Sequence, residues 1–369
     1  MLTRRAAVDQ DALREAVGAV RDPEIHRGLA ELGMLRDVTT DRRGTARIAV
    51  ALTTPSCPLT DRLRADVTAA ASAVPGVSGV EVSFTTLSEG ERLALARRLR
   101  EQQPARLGDD TRVYAVASGK GGVGKSSVAA NLAVALAREG KRVGLLDADV
   151  WGYSVPQLFG IRRSPVALKG LMLPVDAHGV RLMSVGFLVG DGEPVVWRGP
   201  MLHKALEQFL TDVHWGELDV LLLDLPPGTG DVTLSLLELL PQAALLAVTT
   251  PQVSAQAVAS RAGRMAADLR MPLAGVVENM SELVCDGCGE STALFGSGGG
   301  QRLADELGTE LLARVPLDTA LRRAGDDGVP VVAGAPDAPS ALALTDLAAR
   351  LPVVRRSLSG LALPLSVVR

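Results

Sequence analysis

One loop constrains what this chain can fold into more than any other feature. It follows the apolar run RVYAVAS, precedes the helical pattern VAANLAVALAREG, and reads Gly119-Lys120-Gly121-Gly122-Val123-Gly124-Lys125-Ser126-Ser127. This is the spacing G-x-x-x-x-G-K-[ST] in the strand–loop–helix setting of a P-loop. Its glycines let backbone N–H groups point at phosphate oxygens, and the helix N-terminus adds partial positive charge. The pattern therefore predicts a nucleotide site, in which Lys125 contacts the β- and γ-phosphates and the Ser126 hydroxyl contacts Mg²⁺.

Strand-like and helical runs alternate along residues 111–350. Several of the strand-like runs are almost uninterrupted apolar residues, as expected for parallel strands that are buried on both faces. The alternation predicts a doubly wound α/β P-loop NTPase domain with a mainly parallel sheet and a ligand at the carboxyl ends of the strands. The strand-like runs are RVYAVAS, RVGLLDAD, VRLMSVGF, LDVLLLDL, ALLAVTT and LAGVVENM.

Residues 1–87 have a different pattern, which predicts a separate small α+β domain. Helical, strand-like, strand-like, helical and strand-like runs follow one another, and this order suits a small sheet with helices on one face. Residues 88–110 are highly charged and helical, and we interpret them as a linker. Residues 351–369 form an apolar tail in which Pro364 disfavours a continuous amphipathic helix, so we expect the tail to be docked or frayed.

Composition excludes several classes of function. The 369 residues include 39 Lys and Arg against 42 Asp and Glu, a net charge of −3, so no overall basic field draws the chain to nucleic acid. No segment approaches the roughly 20 apolar residues that cross a bilayer, so we expect no membrane partner. Three cysteines are too few for a disulfide scaffold and suit a reducing compartment, which predicts a cytoplasmic protein.

Three aspartates at the ends of apolar runs complete the predicted nucleotide site. Asp147 and Asp149 lie in LLDAD, and Asp224 lies in LLDLPPGTGD. At the carboxyl end of a buried strand, a carboxylate can hold a Mg²⁺-bound water or orient an attacking water. The chain has no N-K-x-D motif, which guanine-specific P-loop proteins usually carry, so ATP is the predicted nucleotide.

A second constellation is Cys285-Asp286-Gly287-Cys288, which follows the run LAGVVENMS. A C-x-x-C turn brings two thiolates together, which suits a soft metal, a redox disulfide or a cluster. Zinc sites and cubane iron–sulfur sites usually need four protein ligands, and the four histidines show no ligand spacing. A two-fold dimer would double the cysteine pair into a Cys₄ set. The pattern leaves a bridging cluster, a structural zinc ion and an incidental pair of surface thiols open.

The extra lysine in the glycine-rich loop carries a family resemblance. With Lys120 directly after the first glycine, K-G-G-V-G-K-S resembles the loop of the deviant Walker A ATPases, the group of MinD, ParA and the nitrogenase iron protein. The resemblance implies a sandwich dimer with ATP at the interface, in which Lys120 reaches the partner's nucleotide. It implies that Lys125 and Asp149 are both catalytic residues and that Asp149 positions the attacking water. It also implies that Asp147 lies in the outer shell of Mg²⁺ and that Asp224 is the catalytic carboxylate on the metal side.

Eight motifs follow one another in a fixed order between about residues 110 and 335. They are KGGVGKSS, DADVWGYSVP, WRGPM, DLPPGTGD, TTPQ, VVENMS, CDGC and FGSGGG. Together they resemble the ApbC/Mrp family of P-loop ATPases that carry iron–sulfur clusters. The resemblance implies a homodimer that binds a [4Fe-4S] cluster at Cys285 and Cys288. It further implies an upstream cluster scaffold, apo iron–sulfur proteins as clients, ATP hydrolysis during transfer, and Asn279 as a nucleotide-binding residue.

Three motifs of the small domain, DPE at 22–24, LGM at 32–34 and TPSCP at 54–58, resemble the iron–sulfur assembly domain that is often fused ahead of these ATPases. This resemblance makes Cys57 a candidate accessory thiol for a cluster or for sulfur transfer. A half-buried loop cysteine is the equally weighted alternative.

Three other functions share part of this pattern. A positioning or partitioning ATPase of the MinD/ParA type has the same nucleotide site but does not need the C-x-x-C pair. A reductase like the nitrogenase iron protein takes its cluster ligands from two separated loops. A zinc-bridged dimeric scaffold leaves Lys120, Asp149 and Asp224 without a role.

Overall fold

The computed structural model divides the chain into two compact units, each described here by itself. The first holds the described residues of 1–106, 165–176 and 211–216, and the second holds those of 107–164, 177–210 and 217–369. The structure describes residues 8–55, 59–102, 107–108, 110–150, 152–188, 199–228, 235, 239–240, 242–252, 255, 260, 264, 271–285 and 287–353.

The helices and strands of the described residues are numbered in chain order. The helices are α1 (Gln10–Gly18), α2 (Leu29–Leu32), α3 (Thr60–Ser72), α4 (Glu89–Gln102), α5 (Lys125–Arg138), α6 (Val155–Leu158), α7 (Gly199–Thr211), α8 (Gly299–Leu307), α9 (Thr319–Asp327), α10 (Val331–Gly334) and α11 (Pro339–Arg350). The strands are β1 (Leu35–Thr40), β2 (Thr45–Leu52), β3 (Gly79–Thr86), β4 (Arg112–Ser118), β5 (Val143–Asp147), β6 (Val166–Leu168), β7 (Leu171–Leu173), β8 (Val175–Ala177), β9 (Val180–Ser184), β10 (Val220–Asp224), β11 (Ala244–Thr249), β12 (Leu273–Val284), β13 (Ser291–Thr292) and β14 (Leu311–Leu317).

The first unit is built on a three-stranded sheet in the order β1-β2-β3, with β1 antiparallel and β3 parallel to β2. Its core includes Leu13 and Val17 of α1, whose four-residue spacing places both on one face of the helix. The predicted linker segment contains α4, and Leu95 and Leu99 of that helix are buried in the same core. Residues 165–176 cluster with this unit because leucines of β6 and β7 are buried there as well.

The second unit is built on a mainly parallel sheet, in which β14, β12, β11, β4, β10, β5 and β9 lie side by side. All the pairs along this row are parallel, and the short β13 is antiparallel to β12. Every residue of β5, β10 and β11 is buried, as expected for strands covered on both faces. These observations confirm the prediction of an α/β protein with a parallel sheet, preceded by a small α+β unit.

Two details differ from the sequence prediction. The run VRLMSVGF is a strand only as far as Ser184, and a short 3₁₀ helix, Val185–Leu188, follows. The strand ends there because the Ser184 hydroxyl accepts a hydrogen bond from the Gly186 N–H at 3.0 Å and so closes a turn. The chain also contains β14, which the sequence analysis missed. No helix among the described residues combines the length and the apolar character that a membrane crossing needs.

Candidate functional site

The glycine-rich loop lies between the end of β4 and the first turn of α5, as predicted. Gly122 and Gly124 have φ angles of +80° and +77°, a left-handed backbone that glycine adopts without a steric cost. The Ser118 hydroxyl donates to the Lys120 carbonyl oxygen at 3.1 Å and fixes the start of the loop. The loop therefore has the sharply folded backbone that its sequence predicts, directly before a helix N-terminus.

Lys125 and Asp224 form a buried ion pair beside this loop. The Lys125 Nζ atom lies 2.5 Å from Asp224 Oδ1, and the two side chains are 6% and 0% exposed. Asp224 Oδ2 is buried and accepts no hydrogen bond from the described part of the chain. Burial raises the pKa of the Asp224 carboxyl, and the nearby Lys125 charge partly offsets this rise. The arrangement places a cation and a carboxylate oxygen with spare acceptor capacity at the carboxyl end of β10.

Asp147 lies beside Asp224, at the same level on the neighbouring strand β5. Its Oδ1 atom accepts from the Asp149 N–H at 3.1 Å, and its Oδ2 atom accepts from the Ser184 hydroxyl at 2.9 Å and from the Val155 N–H at 3.3 Å. Burial, with a smaller contribution from the Asp224 carboxylate, raises the pKa of Asp147 to about 7. Asp147 thus holds the loop after β5 in shape. Ser184 was not among the predicted site residues, although its place at the end of an apolar run was a usable signal.

Asp149 lies two residues beyond β5 and is buried. Its Oδ1 atom accepts a hydrogen bond from the Gly152 N–H at 3.0 Å. This short turn holds the carboxylate in the loop that Asp147 supports.

Lys120 extends from the glycine-rich loop to a neighbouring loop of the same chain. Its Nζ atom donates to Gln252 Oε1 at 3.2 Å, and the lysine is only partly buried. Gln252 is the last residue of the TTPQ motif, to which the sequence analysis gave no contact. The side chain of Lys120 is therefore held by a neutral amide oxygen, a partner that a flexible ammonium group can exchange.

Asn279 lies directly beneath the glycine-rich loop. Its Nδ2 atom donates to the Val123 carbonyl oxygen at 2.9 Å, while its Oδ1 atom is buried and has no partner in the described part of the chain. A Cβ atom at Gly124 would lie 2.2 Å from Asn279 Nδ2, so the amide occupies the space of a side chain at that position. Asn279 is thus placed at the nucleotide loop through its contact with the loop backbone, and its binding of a nucleotide stays a prediction.

The cysteine pair lies beyond the end of β12, in a hairpin that we call the cysteine hairpin (residues 281–298, with 286 outside the described residues). The Cys285 N–H donates to the Glu290 carbonyl oxygen at 3.0 Å, and the Gly289 N–H donates to the Cys285 carbonyl oxygen at 2.8 Å. These two bonds close the turn and bring Cys288 back toward Cys285. Both thiols are exposed.

The second unit thus brings the phosphate-binding loop, both lysines, the three aspartates and Asn279 to the carboxyl edge of one sheet. The two cysteines lie on an extension of a strand of that sheet. Within the described ranges, no group of three or more His, Cys, Asp or Glu side chains could hold a metal ion. Cys57 and residues 354–369, for which the sequence analysis made predictions, lie outside the described residues.

Comparison with known families matches both parts of the chain. A family model described as NUBPL iron-transfer P-loop NTPase matches residues 110–352. A second model, described as iron-sulfur cluster assembly protein, matches residues 10–84.

Individual proteins of similar sequence cover nearly the whole chain. The iron-sulfur cluster carrier protein of Mycobacterium leprae is 45% identical, over 99% of this chain and 98% of that protein. The protein of the same name from Synechocystis is 42% identical, over 92% of this chain and 96% of its own length.

Two solved structures resemble the part of the chain that contains the nucleotide loop. A nucleotide-binding protein from Archaeoglobus fulgidus in complex with ADP is 38% identical and has a TM-score of 0.53, over 63% of this chain and 91% of that one. The cell division ATPase MinD of Pyrococcus furiosus is 23% identical and has a TM-score of 0.50, over 65% of this chain and 97% of that one. At this lower identity the likeness concerns the fold alone.

Proposed function

This chain belongs to the family of iron-transfer P-loop NTPases that includes the iron–sulfur cluster carriers, and on that premise we propose that it hydrolyses ATP while it carries a [4Fe-4S] cluster between two copies of itself and passes the cluster to apo-proteins. One observation carries the proposal. The strand that contacts the nucleotide loop through Asn279 ends at Val284, directly before Cys285, so one structural element connects the nucleotide loop to the exposed thiol pair.

The residues at the carboxyl edge of the sheet fit Mg²⁺ and ATP. Asp224 Oδ2 is a buried carboxylate oxygen with no protein partner in the described part of the chain, and the Ser126 hydroxyl lies 3.4 Å from Lys125 Nζ. Lys125 would leave Asp224 to bind the β- and γ-phosphates, and Ser126 would contact the metal, with Asp224 reached through water. When bound, ATP would supply the phosphoryl group, and Mg²⁺ would neutralise the negative charge that develops on that group.

Asp149 is the residue that we assign to the attacking water. Its carboxylate is buried at the carboxyl edge, and the hydrogen bonds from Gly152 and through Asp147 restrict where it can point. Asp147 would act on the water shell of the metal only through oxygens that already accept hydrogen bonds. Its main task in this proposal is to fix the loop that carries Asp149.

Lys120 is the residue that we assign to the partner's nucleotide. In a single chain its ammonium group donates to Gln252, a neutral acceptor. A phosphate of a facing subunit is a stronger acceptor because the hydrogen bond is then charge-assisted on both sides. Lys120 would therefore exchange Gln252 for that phosphate when two ATP-bound copies meet.

The cysteine pair is the proposed place of the cargo. A fully ligated cubane needs four thiolates, and Cys285 and Cys288 of one chain supply two. Leu283 and Leu294, which flank them in the cysteine hairpin, are 37% and 55% exposed. A second copy that faces the first would add the two missing thiolates and cover these leucines. The exposed position also lets thiolates of an apo-protein replace the carrier's ligands without any change in oxidation state.

The first unit matches the family of iron-sulfur cluster assembly proteins, and we therefore include it in the proposed function. We assign to it the contact with the upstream scaffold or with clients, and we give Cys57 an accessory role that does not ligate the bridging cluster.

Anaerobic reconstitution of the full chain with iron and sulfide tests the proposal. The wild type should form a dimer that contains one [4Fe-4S] cluster, and Cys285→Ser or Cys288→Ser should abolish it, because each change removes two of the four ligands. Cys57→Ser is the matched control and should keep the full iron content. Transfer is measured as activation of an apo-aconitase-type acceptor.

The zinc-bridged scaffold and the positioning ATPase would each give a different result in this experiment. Bound zinc without sulfide would identify a zinc-bridged scaffold, and ATP hydrolysis without any bound iron would identify a positioning ATPase. A full cluster that survives in the double Cys285→Ser/Cys288→Ser variant would overturn the carrier assignment at this site.

A further inference from the structure

We propose that Glu278 and Asn279, consecutive residues of β12, couple the nucleotide loop to the cysteine hairpin, so that occupancy of the P-loop changes the exposure of Cys285 and Cys288. The inference rests on the proposed function, because it takes the P-loop as the nucleotide site and the cysteine pair as the cargo site. It adds the path by which one site acts on the other.

Asn279 forms the contact with the nucleotide loop. It is 2% exposed, its Nδ2 atom donates to the Val123 carbonyl oxygen, and it fills the space beside the Cα atom of Gly124. Val123 and Gly124 belong to the glycine-rich loop, whose backbone N–H groups would bind the phosphates. A shift of that backbone therefore moves Asn279 or breaks its hydrogen bond.

Glu278 contacts the helix turn that directly follows the cysteine hairpin. It is 1% exposed, and its Oε2 atom accepts from the Gly300 N–H at 2.5 Å, in the first turn of α8. A Cβ atom at Gly300 would lie 2.6 Å from Glu278 Cβ, so this turn is packed directly against the strand. The carboxylate also lies at the positive end of the helix. The cysteine hairpin thus begins after Met280 of β12 and leads back into a helix turn that is bonded to Glu278 of the same strand.

Met280 gives the strand a point at which it can change shape. It has a φ of +55° and is one of four non-glycine residues with positive φ in the described part of the chain. The pairing of β12 with β14 is irregular at this place, since the five residues from Asn279 to Leu283 oppose the three from Val315 to Leu317. Residues in this backbone region persist only where the surroundings hold them. Gly124 is one of these neighbours, because a Cβ atom added to it would lie 3.7 Å from Met280 Cε.

The short distance along the chain between Asn279 and Cys285 favours the transmission of a displacement from one to the other. Cys285 follows Asn279 by six residues, which is at most about 20 Å of extended strand. The intervening segment is hydrogen-bonded to β13 at Leu283 and Val284, so it moves as a ribbon and not as a free loop. A small displacement beneath the P-loop therefore reaches the thiols without passing through the partner subunit.

Alkylation of the thiols measures this coupling without a cluster. The reduced, cluster-free full chain is treated with iodoacetamide with and without saturating Mg²⁺-ADP, and the labelled peptides are quantified separately by mass spectrometry. ADP is the probe because it fills the P-loop but lacks the γ-phosphate that Lys120 would reach in a sandwich dimer. We expect ADP to change the alkylation rates of Cys285 and Cys288 by about fivefold or more, and to leave that of Cys57 unchanged.

Two variants and a matched control make the test specific. Asn279→Ala should reduce the ADP effect to below about twofold when the P-loop is saturated, and Met280→Gly should do the same by freeing the backbone at the irregular position. The control is Asn131→Ala. Asn131 is a second buried asparagine at this loop, with its Nδ2 atom donating to the Ser127 carbonyl oxygen at 2.9 Å, but it lies on α5. It should keep the full ADP effect.

Calorimetry of ADP binding to each variant separates loss of coupling from loss of the nucleotide. Equal alkylation rates in the wild type with and without bound ADP would overturn the inference, even if the chain carries a cluster. A full ADP effect in both Asn279→Ala and Met280→Gly would overturn it as well. Failure of the proposed function looks different, because it would appear as absence of bound iron or of ADP binding in the wild type.

Discussion

Removal of the Lys125 ammonium group tests the central feature of the nucleotide site before any nucleotide is bound. In the structure this group is the counter-charge of Asp224, and both side chains are withdrawn from water. Lys125→Met keeps most of the apolar stem and deletes the charge. The variant should lose ATP binding and hydrolysis, because the phosphates lose their main cationic partner. It should also be less stable as a free protein.

The size of that loss follows from burial. Breaking a buried ion pair by removing one partner costs about 3–5 kcal/mol, because an uncompensated charge stays inside. This is a large part of the roughly 5–15 kcal/mol that stabilises a typical domain. In the unchanged protein, burial raises the pKa of the Asp224 carboxyl and the Lys125 charge lowers it. Without Lys125 this pKa rises further, so the folded state binds a proton more readily than the unfolded state. Stability should then be greatest at low pH and fall as pH rises, so the deficit should be larger at pH 8 than at pH 5.

Hydrogen exchange followed by mass spectrometry is the suitable assay, because it measures the opening free energy of α5 and β10 alone. The double variant Lys125→Met/Asp224→Asn should recover most of the lost stability, since no buried charge is left, but it should still fail to bind ATP. Lys141→Met, at an exposed position after α5, is the matched control and should change the opening free energy by less than about 0.5 kcal/mol. A loss below about 1 kcal/mol in Lys125→Met, or no recovery in the double variant, would refute the reasoning.

Three further predictions concern the neighbouring residues. Asp149→Asn should slow ATP hydrolysis by about 100-fold or more while ATP stays bound, and equal losses in binding and turnover would make Asp149 structural. Lys120→Ala should weaken ATP-dependent dimerisation and hydrolysis more than nucleotide binding by single chains, as measured by light scattering and calorimetry; normal dimerisation and turnover would contradict the sandwich arrangement. Because the pKa of Asp147 is raised from 3.8 to about 7, its protonated form stabilises the nucleotide-free fold most fully below pH 4, and this stability is lost as pH rises to 7. Exchange at β5 should show the opening free energy falling by up to about 1.4 kcal/mol per pH unit in this window, and Asp147→Asn should flatten the slope.

The sequence predicts well where the residues of the candidate nucleotide site lie in the fold, because its parts are local or share one geometric rule. The glycine-rich loop with its flanking strand and helix lies within one short stretch of chain. Asp147 and Asp224 both end buried apolar runs, and parallel strands bring such ends to one edge, where the two residues lie at the same level. Neither inference needs knowledge of side-chain contacts.

The missed features depend on contacts between distant residues. The pair of Lys125 with Asp224 spans 99 positions and that of Lys120 with Gln252 spans 132, and no spacing rule relates such positions. Strand β14 was missed because LLARVPL contains Arg314 and Pro316, which interrupt its apolar pattern. It lies at the side of β12, where such residues are tolerated.

The course of β12 explains how a nucleotide-binding sheet can also hold a cargo. From Ala274 to Asn279 every residue is buried, whereas from Met280 onward every residue of the strand is partly or fully exposed. The strand therefore runs past the carboxyl edge at which the nucleotide loop lies, and it carries Cys285 beyond that edge. A partner copy that faces this edge would meet Lys120 and the thiols together, so a single association would complete both the ATP site and the cluster site. Linkage then requires that ATP and the cluster strengthen each other's binding by the same factor. A carrier built in this way would hold its cargo most tightly while ATP is intact, and hydrolysis would loosen both.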